Sequence, residues 1–253
     1  MTALSQSPHA VVTGGSRGIG REIASRLAHS GVTVTVVGRD KAALSEVIGA
    51  GQAHFSAIAD VRDAAAIDAA IAEAASRQPI DILVANAGAA ESAPFGKSDD
   101  ALFARMMDVN FMGVVHAIRA ALPSMRERPY GRIVAIASTA GLKGYPYVSA
   151  YAAAKHAVIG LVRSLALELA TTRITVNAVC PGFTDTDLVA GSIDTIIRKT
   201  GRDRAQAIAE FTKHNPQGRL VSPAEVADTV LWLCGENAAA ITGQAIAVAG
   251  GEI

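Results

Sequence analysis

Short, almost continuously apolar runs alternate along the chain with longer stretches in which apolar positions recur every three or four residues. A short apolar run predicts a strand buried on both faces of a sheet, and the longer periodicity predicts a helix. The predicted strands are Ala10–Thr13, Val32–Val37, a weaker His54–Ala57, Ile80–Val84, Arg132–Ala137, Ile174–Val179 and Ala245–Val248. The predicted helices are Ile19–Ser30, Ala42–Ile48, Ala64–Arg77, Leu102–Met125, Ala150–Ala170 and Pro223–Cys234.

The regular alternation of strand and helix predicts an α/β fold in which one parallel sheet carries helices on both faces. No linker rich in Pro, Gly or Ser interrupts the alternation, so we expect a single domain over residues 1–253. The segment Phe183–Gln217 breaks the rhythm, because it is polar, helical in places and without a strand. A connection of that length predicts a lid or substrate loop.

Composition and charge argue against several classes of function. The chain has 253 residues with 23 Lys and Arg and 23 Asp and Glu, so no cationic surplus is available to bind a nucleic-acid backbone or a membrane surface. Two cysteines cannot build a disulfide framework, and six scattered histidines argue against a metal site. Met1–His9 lacks the features of a targeting signal, and no apolar run approaches the ~20 residues of a membrane-spanning helix. We therefore expect a cytoplasmic protein.

The first predicted strand runs directly into a glycine-rich turn, Thr13–Gly20, that opens the first predicted helix. Gly14 permits a tight turn, Gly18 lets the backbone approach a pyrophosphate, and Gly20 allows helix and strand to pack closely. The helix N-terminus adds free N–H groups and a partial positive charge for the phosphates. This pattern predicts a dinucleotide site that includes Gly14, Ser16, Arg17, Gly18, Ile19 and Gly20.

The turn also fits a second motif, because Gly14–Gly18 matches G-x-S-x-G, the nucleophile elbow of α/β-hydrolases. Both motifs join a strand to a helix, so the local context does not separate them. A hydrolase elbow normally follows several earlier strands, whereas this turn follows the first. The late histidine that a hydrolase needs would be His214, which lies in the irregular segment. The dinucleotide interpretation is therefore favoured.

The end of the second predicted strand bears on the choice of nucleotide, because it lies beside the expected adenosine ribose. An acidic residue at this point would favour NAD(H), whereas Arg39 together with Arg17 suits the 2′-phosphate of NADP(H). Asp40 weakens the inference, since it offers one arginine a partner. NADP(H) is favoured over NAD(H). After the third strand, Asp60 either accepts a hydrogen bond from adenine or caps the next helix.

A candidate proton-transfer group lies in the helix predicted over Ala150–Ala170. Tyr151 and Lys155 are four residues apart and therefore share a helix face. An ammonium and a positively charged nicotinamide nearby would lower the pKa of a tyrosine, which is ordinarily ~10. Ser138 follows a predicted strand, at the edge where parallel sheets bind ligands, and its hydroxyl can hydrogen-bond a carbonyl oxygen.

Taken in order, these residues resemble the short-chain dehydrogenase/reductase family over nearly the whole chain. The resemblance rests on Thr13–Gly20, Asp60-Val61, Asn86-Ala87-Gly88, Asn110, Ser138, Tyr151-x-x-x-Lys155 and Pro181-Gly182 followed by Thr184. It implies a Rossmann-type, doubly wound parallel sheet of seven strands. It also implies a homotetramer built on the two long central helices and the last strand.

The resemblance further implies a catalytic tetrad of Asn110, Ser138, Tyr151 and Lys155. Tyr151 would be the general acid in reduction, and Ser138 would polarise the substrate carbonyl. Lys155 would hold the nicotinamide ribose and lower the pKa of Tyr151, and Asn110 would hold a water that links Lys155 to solvent. Thr184 would orient the carboxamide. The other implied cofactor contacts are Asp60, Val61, Asn86, Ala87, Gly88, Pro181 and Gly182.

Within the family, the residues around Ser138 and Cys180 resemble 3-oxoacyl thioester reductases and polyketide ketoreductases. The long lid also resembles that of D-3-hydroxybutyrate dehydrogenases, which clamp a free carboxylate with Gln, His and Lys. The corresponding positions here are Ala90, Ala140 and Val148, and a buried, unpaired carboxylate is costly. An apolar pocket is expected instead, with Leu142, Tyr145 and Tyr147 nearby.

Three hypotheses follow for function. The first is an NADPH-dependent reductase of a 3-oxoacyl thioester, carried by CoA or a carrier protein. The second is an NAD(P)-dependent dehydrogenase of a cyclic, aromatic or other non-thioester secondary alcohol, which would use the same catalytic residues. The third is a dinucleotide-binding regulator without catalysis, against which the intact tetrad argues.

Overall fold

The computed structural model describes residues 7–253, so most of Met1–His9 lies outside the described residues. Seven strands are present: β1 (His9–Thr13), β2 (Thr33–Gly38), β3 (Phe55–Ile58), β4 (Ile82–Ala85), β5 (Gly131–Ile136), β6 (Ile174–Pro181) and β7 (Ala245–Val248). They form one parallel sheet in the order β3-β2-β1-β4-β5-β6-β7. All seven predicted strands are confirmed, with small shifts at their ends.

Helices connect the strands and cover both faces of the sheet. They are α1 (Gly18–His29), α2 (Lys41–Gly49), α3 (Ala64–Arg77), α4 (Asp100–Met107), α5 (Gly113–Arg126), α6 (Ser149–Glu168), α7 (Asp187–Thr200), α8 (Arg204–Thr212) and α9 (Pro223–Cys234). The predicted start of α9 is confirmed, because Ser222 caps it in a reciprocal capping box with Glu225.

The strand side chains alternate between two apolar layers, as strands buried on both faces require. Val11, Leu83 and Ile133 belong to the layer that includes α3, α5 and α6. The neighbouring residues Val12, Val84 and Val134 belong to the layer that includes α1, α2 and α9. The predicted parallel α/β fold with helices on both faces is therefore confirmed.

The strand order reverses at β1, which pairs with β2 on one side and β4 on the other. Open α/β sheets bind their ligands outside the carboxyl ends of the strands at such a point. β1 ends at Thr13 and β4 ends at Ala85, so the glycine turn and Asn86 both lie there. The fold brings two separate sequence motifs to one edge.

The predicted helix Leu102–Met125 is interrupted by a π-helical turn, Asp108–Met112, in which the Gly113 N–H donates to the carbonyl of Asp108. The whole run, Asp100–Arg126, is by length and composition long enough and apolar enough to cross a membrane. Its inner face packs into the apolar layers beside the sheet, so it is a core helix of this fold.

The irregular segment 183–217 contains α7 and α8, as its partly helical pattern predicts. Val189, Ile193 and Ala207 form a small apolar cluster of their own there. Among the described residues, the only pairing of this segment with extended backbone is an isolated bridge between Thr184 and Val221.

A buried polar group lies at the opposite end of the sheet, where β1 begins. The His9 ring is fully buried, with Nδ1 2.7 Å from the carbonyl oxygen of Gln78 and Nε2 2.9 Å from Thr35 Oγ1. Burial, the largest effect, lowers the pKa of His9 below its ordinary value of 6.5, because the charged ring would lose its hydration.

We expect His9 to make the fold sensitive to acid. Between its lowered folded pKa and the unfolded value of about 6.5, the unfolded chain binds more protons, so the free energy of unfolding falls as the pH drops through that window. Urea unfolding at neutral and mildly acidic pH should show this decrease in the wild type and a smaller one in His9→Gln. His29→Gln, at an exposed position, is the control, and equal pH dependence in all three proteins would contradict the prediction.

Candidate active site

The glycine turn adopts a backbone conformation that its sequence requires. Gly14 has φ +65°, and a Cβ there would lie 2.8 Å from the Cα of Ala87. Its N–H donates to the carbonyl of Val37 at 2.7 Å, which fixes the turn above the end of β2. The tight turn predicted at Gly14 is therefore confirmed.

Asn86 joins the glycine turn to the end of β4. Its carboxamide nitrogen donates to the carbonyl oxygens of Thr13 at 3.0 Å and Gly14 at 3.1 Å. The backbone N–H groups of Asn86 and Ala87 both donate to Thr13 Oγ1. A Cβ at Gly20 would overlap the Asn86 amide nitrogen and the Gly14 carbonyl. Gly20 thus makes room for this side chain and for the turn, rather than for a strand as predicted.

The N-terminus of α1 faces the turn with its backbone N–H groups uncapped by a side chain. Arg17 is the N-cap residue without a capping hydrogen bond, and the first turn contains no acidic residue. A Cβ at Gly18 would have only Thr186 nearby, at 3.5 Å. Free amides, a helix dipole and open space are what a pyrophosphate requires, so these residues fit a dinucleotide. Ile19 packs on the core below.

The acidic residues near the end of β2 have partners that the sequence did not predict. Asp40 caps α2 through Ala42 and Ala43, so its predicted pairing with an arginine is wrong. Asp63, not Asp60, caps α3. Asp60 accepts hydrogen bonds from Arg62, which lower its pKa to about 2. The capping alternative for Asp60 is therefore wrong.

Arg39, at the end of β2, and Arg17, at the start of α1, are both exposed. Arg39 Nη1 lies 3.6 Å from Asp60 Oδ2, a longer contact than the 2.7 Å from Arg62 Nη2 to the same oxygen. Arg62 therefore carries most of the pairing with Asp60. Sequence analysis missed Arg62, although its spacing of two residues from Asp60 is a usable signal.

Val61 is held from below by α5. His116 Nδ1 lies 2.9 Å from the Val61 carbonyl oxygen, and a Cβ at Gly113 would lie 2.8 Å from Val61 Cγ2. Because one ring nitrogen faces a carbonyl, that nitrogen carries the proton. No sequence pattern connects His116 with Val61, since 55 residues separate the two.

The predicted proton-transfer residues meet at the carboxyl end of β5. Ser138 follows β5, and its hydroxyl oxygen accepts from the Ala140 N–H at 3.1 Å. The Tyr151 side chain hydrogen-bonds to Ser138. Lys155, one helical turn after Tyr151, places Nζ 5.7 Å from the centroid of the Tyr151 ring. The phenol therefore lies between a hydroxyl and an ammonium.

Burial shifts the two ionisable groups in opposite directions. It raises the pKa of Tyr151, although the hydrogen bond with Ser138 lowers it in part. It lowers the pKa of Lys155 to about 8. Desolvation of the phenolate outweighs the hydrogen bond with Ser138, so the net shift of the Tyr151 pKa is upward for the protein groups by themselves. The lowering expected from Lys155 together with a bound nicotinamide stays a prediction. Lys155 Nζ donates to the carbonyl of Ile136 at 2.8 Å.

Asn110 lies in the π-helical turn and is fully buried. Its carboxamide accepts from the Ala89 N–H at 3.2 Å and donates to the carbonyls of Ala89 and Met106. A Cβ at Gly88 would lie 2.8 Å from Asn110 Oδ1 and 3.6 Å from Lys155 Nζ. Asn110 thus fixes the segment that carries Asn86, Ala87 and Gly88, beside Lys155.

Pro181 ends β6, and Gly182 continues along β7 by donating its N–H to Val248 at 3.0 Å. Thr184 is buried, and its hydroxyl donates to the Gly182 carbonyl at 3.0 Å. This segment therefore lies at the same edge as the other predicted cofactor residues. Cys180, inside β6, is buried in the core.

The predicted pocket residues have different environments. Tyr145 packs edge-on against Phe183 at 5.9 Å, and its hydroxyl lies 2.7 Å from both Thr139 and Glu252. Tyr147 is 66% exposed and has φ +67°. Ala140 is buried, whereas Ala90 and Val148 are partly exposed. None of these three offers a partner for a carboxylate.

A comparison with protein families identifies the chain. The family described as short chain dehydrogenase matches residues 8–197. The chain belongs to the short-chain dehydrogenase/reductase family. It is an NAD(P)-dependent oxidoreductase acting on CH–OH groups, so the hydrolase hypothesis is wrong and the regulator without catalysis is set aside.

Several relatives align over nearly the full chain. A putative ketoacyl reductase of Streptomyces coelicolor is 40% identical, over 98% of this chain and 98% of its own length. A D-beta-hydroxybutyrate dehydrogenase of Rhizobium meliloti is 36% identical, over 96% and 97%. The crystal structure of an actinorhodin polyketide ketoreductase variant with NADPH superposes with a TM-score of 0.92 at 38% identity, covering 97% of both chains. This short-chain dehydrogenase/reductase therefore has ketoreductase-type activity.

Replacing Gly20 by alanine should damage the site more than the small size of the added methyl group suggests. In Gly20→Ala the new methyl group meets the Asn86 amide and the Gly14 carbonyl, so we expect unfolding to become easier by about 1–3 kcal/mol and dinucleotide binding to weaken. Gly160→Ala, in α6 with open space around it, should instead stabilise by roughly 0.5–1 kcal/mol. Urea unfolding and NADPH titration check both variants, and similar behaviour of the two would contradict the expectation.

Proposed function

We propose that this protein uses NADPH to reduce a 3-oxoacyl thioester, carried by CoA or a carrier protein, to the 3-hydroxyacyl product. The observation that carries the proposal is the convergence of Ser138, Tyr151 and Lys155 beside a pocket wall without a carboxylate partner. Relatives named as ketoacyl reductases support the same substrate class.

When bound, the dinucleotide supplies the hydride. The chain's own residues manage the proton. Because burial raises the pKa of Tyr151, its phenol keeps its proton at neutral pH, as a general acid in reduction must. Ser138 hydrogen-bonds the substrate carbonyl oxygen and directs it toward the phenol. Lys155, with a pKa of about 8, is mostly protonated at neutral pH and favours the phenolate that proton donation leaves behind.

The remaining site residues hold the dinucleotide. Gly14, Ser16, Gly18, Ile19 and the α1 N-terminus would bind the phosphates. Asp60 and Val61 would contact the adenine. The nicotinamide end would be held by Asn86, Ala87, Gly88, Pro181, Gly182 and Thr184. Asn110 fixes the segment that carries Asn86, Ala87 and Gly88, and would hold a water that links Lys155 to solvent.

Preference for NADPH rests on Arg17 and Arg39. Both guanidiniums are exposed, and Arg62 carries most of the pairing with Asp60, so Arg39 at the end of β2 has capacity for a phosphate. A guanidinium binds a phosphate in a bidentate geometry that a ribose hydroxyl does not match.

The charges around the pocket support this substrate class. Lys143 lies in the segment between Ser138 and Tyr151, and its ammonium is 3.0 Å from the Glu252 carboxylate. A small free carboxylate would therefore compete with Glu252 for its counterion. A thioester carries no charge at that position and avoids this cost.

A second candidate is an NAD(P)-dependent dehydrogenase of a cyclic, aromatic or other non-thioester secondary alcohol. The aromatic contacts among Tyr145, Phe183 and Phe211 favour it, because they provide an apolar wall for a ring. The two candidates use the same four catalytic residues.

We also propose that α7 and α8 act as a lid within a single catalytic domain spanning 1–253, and that the protein is a cytoplasmic homotetramer. Leu167, 81% exposed on α6, supports an assembly through the long central helices.

The substrate assignment is tested by activity. Purified protein should consume NADPH when acetoacetyl-CoA is added, because the substrate carbonyl would contact Ser138 and Tyr151. The measurement is the loss of NADPH absorbance. Tyr151→Phe should abolish turnover and leave the Kd for NADPH unchanged, since only the proton donor is removed. If acetoacetyl-CoA and longer 3-oxoacyl thioesters fail while a ketone or secondary alcohol reacts, the second candidate replaces the first.

The cofactor assignment is tested separately. Arg39→Ala should raise the Kd for NADPH roughly tenfold at low salt, because it removes one charge-assisted contact with the 2′-phosphate, and should leave the Kd for NADH unchanged. Fluorescence titration measures both, with Arg126→Ala, another exposed arginine, as the control. Equal losses for the two dinucleotides would argue against a phosphate contact.

A further inference from the structure

The segment that follows β7 lies against the end of the proposed lid. Gly250 has φ +62°, and a Cβ there would overlap the carboxamide of Asn215. A Cβ at Gly251 would lie 3.4 Å from Pro216 Cγ. Asn215 is itself fixed by its hydrogen bonds to the Gln217 N–H and the Arg219 carbonyl. The two glycines therefore bring the next residue, Glu252, to a defined position.

Glu252 is a buried carboxylate beside the catalytic serine loop. Its side chain is 2% exposed, and its Oε1 lies 2.7 Å from the Tyr145 hydroxyl and 3.0 Å from Lys143 Nζ. A carboxylate so deeply buried requires partners of this kind, because its hydration is lost. More than 100 residues separate Glu252 from both partners along the chain.

Proton counting fixes the direction of the hydrogen bonds. A carboxylate only accepts, so the single phenolic proton of Tyr145 goes to Glu252. The 2.7 Å contact with Thr139 is then made by the Thr139 hydroxyl, which donates to the phenolic oxygen. Burial, together with the Glu252 contact, raises the pKa of Tyr145, so the phenol stays protonated. Thr139 directly follows Ser138.

The same network extends to the lid. The Tyr145 ring packs edge-on against Phe183, and Phe183 packs against Phe211 of α8 at 5.0 Å. Glu252 therefore holds, through one phenol, both the turn that carries Ser138 and the aromatic contacts beneath the lid.

We propose that Glu252 is a positioning residue of the active site, which fixes the Ser138–Tyr145 turn against the lid through Tyr145 and Lys143. It acts through these two side chains rather than on the reacting atoms. The kinetic consequence of this role rests on the proposed function. The positioning of the turn does not depend on the identity of the substrate.

The kinetic test uses Glu252→Ala, Glu252→Gln and Tyr145→Phe in the full chain. Loss of one hydrogen bond to a charged group should lower kcat with acetoacetyl-CoA roughly tenfold in Glu252→Ala, with the Kd for NADPH unchanged. Glu252→Gln should recover part of kcat, because its amide oxygen still accepts from Tyr145. The double variant Glu252→Ala/Tyr145→Phe should be no slower than the slower single variant, since both act through one contact. The exposed Glu127→Ala is the control.

A second measurement decides the matter even if no thioester is reduced. Hydrogen exchange of the peptide covering 138–147 should be faster in Glu252→Ala than in the wild type, while exchange in β1 and β4 stays the same. Unchanged kcat in Glu252→Ala, additive loss in the double variant, or unchanged exchange of this peptide would overturn the proposal. A wild type that reduces no carbonyl compound would instead overturn the proposed function, and the exchange result would still stand.

Discussion

The hydrogen bonds from Asn86 to Thr13 and Gly14 are the interaction on which the rest of the site depends. Parallel pairing brings the carboxyl ends of β1 and β4 side by side, but it leaves their loops unpaired. One carboxamide satisfies two of those free carbonyls, and Gly20 leaves the space that it occupies. The glycine turn and the segment after β4 that carries Asn86, Ala87 and Gly88 are therefore held together as one unit.

Desolvation governs the charge of the two proposed catalytic residues, Tyr151 and Lys155. Burial disfavours charge on both groups, so it raises the pKa of Tyr151 and lowers that of Lys155 to about 8. The result is a protonated phenol beside an ammonium that is easily discharged. The π-helical turn supports this arrangement from below, because it lets Asn110 bond to Ala89 and Met106 while staying fully buried.

Much of the architecture was predictable because strands and helices follow from local periodicity. Ala64–Arg77, Pro223–Cys234 and Ala245–Val248 have the predicted bounds. Roles that depend on partners were less predictable: Asp40 and Asp63 are helix caps, and Asp60 pairs with Arg62. A short polar side chain that lies near both a helix N-terminus and an arginine can either cap the helix or pair with the arginine. Only the backbone geometry decides which of the two it does.

The sequence by itself determined the parallel α/β sheet, the position of the glycine turn and the order of Ser138, Tyr151 and Lys155, because each depends on neighbours only a few residues away. The tertiary structure alone decided the contact of His116 with Val61 and the burial of Glu252 against Tyr145. These contacts join segments that are far apart in the chain. Their partners are set by how the crossovers pack on the sheet, and hydrophobic periodicity carries no information about which polar groups that packing brings together.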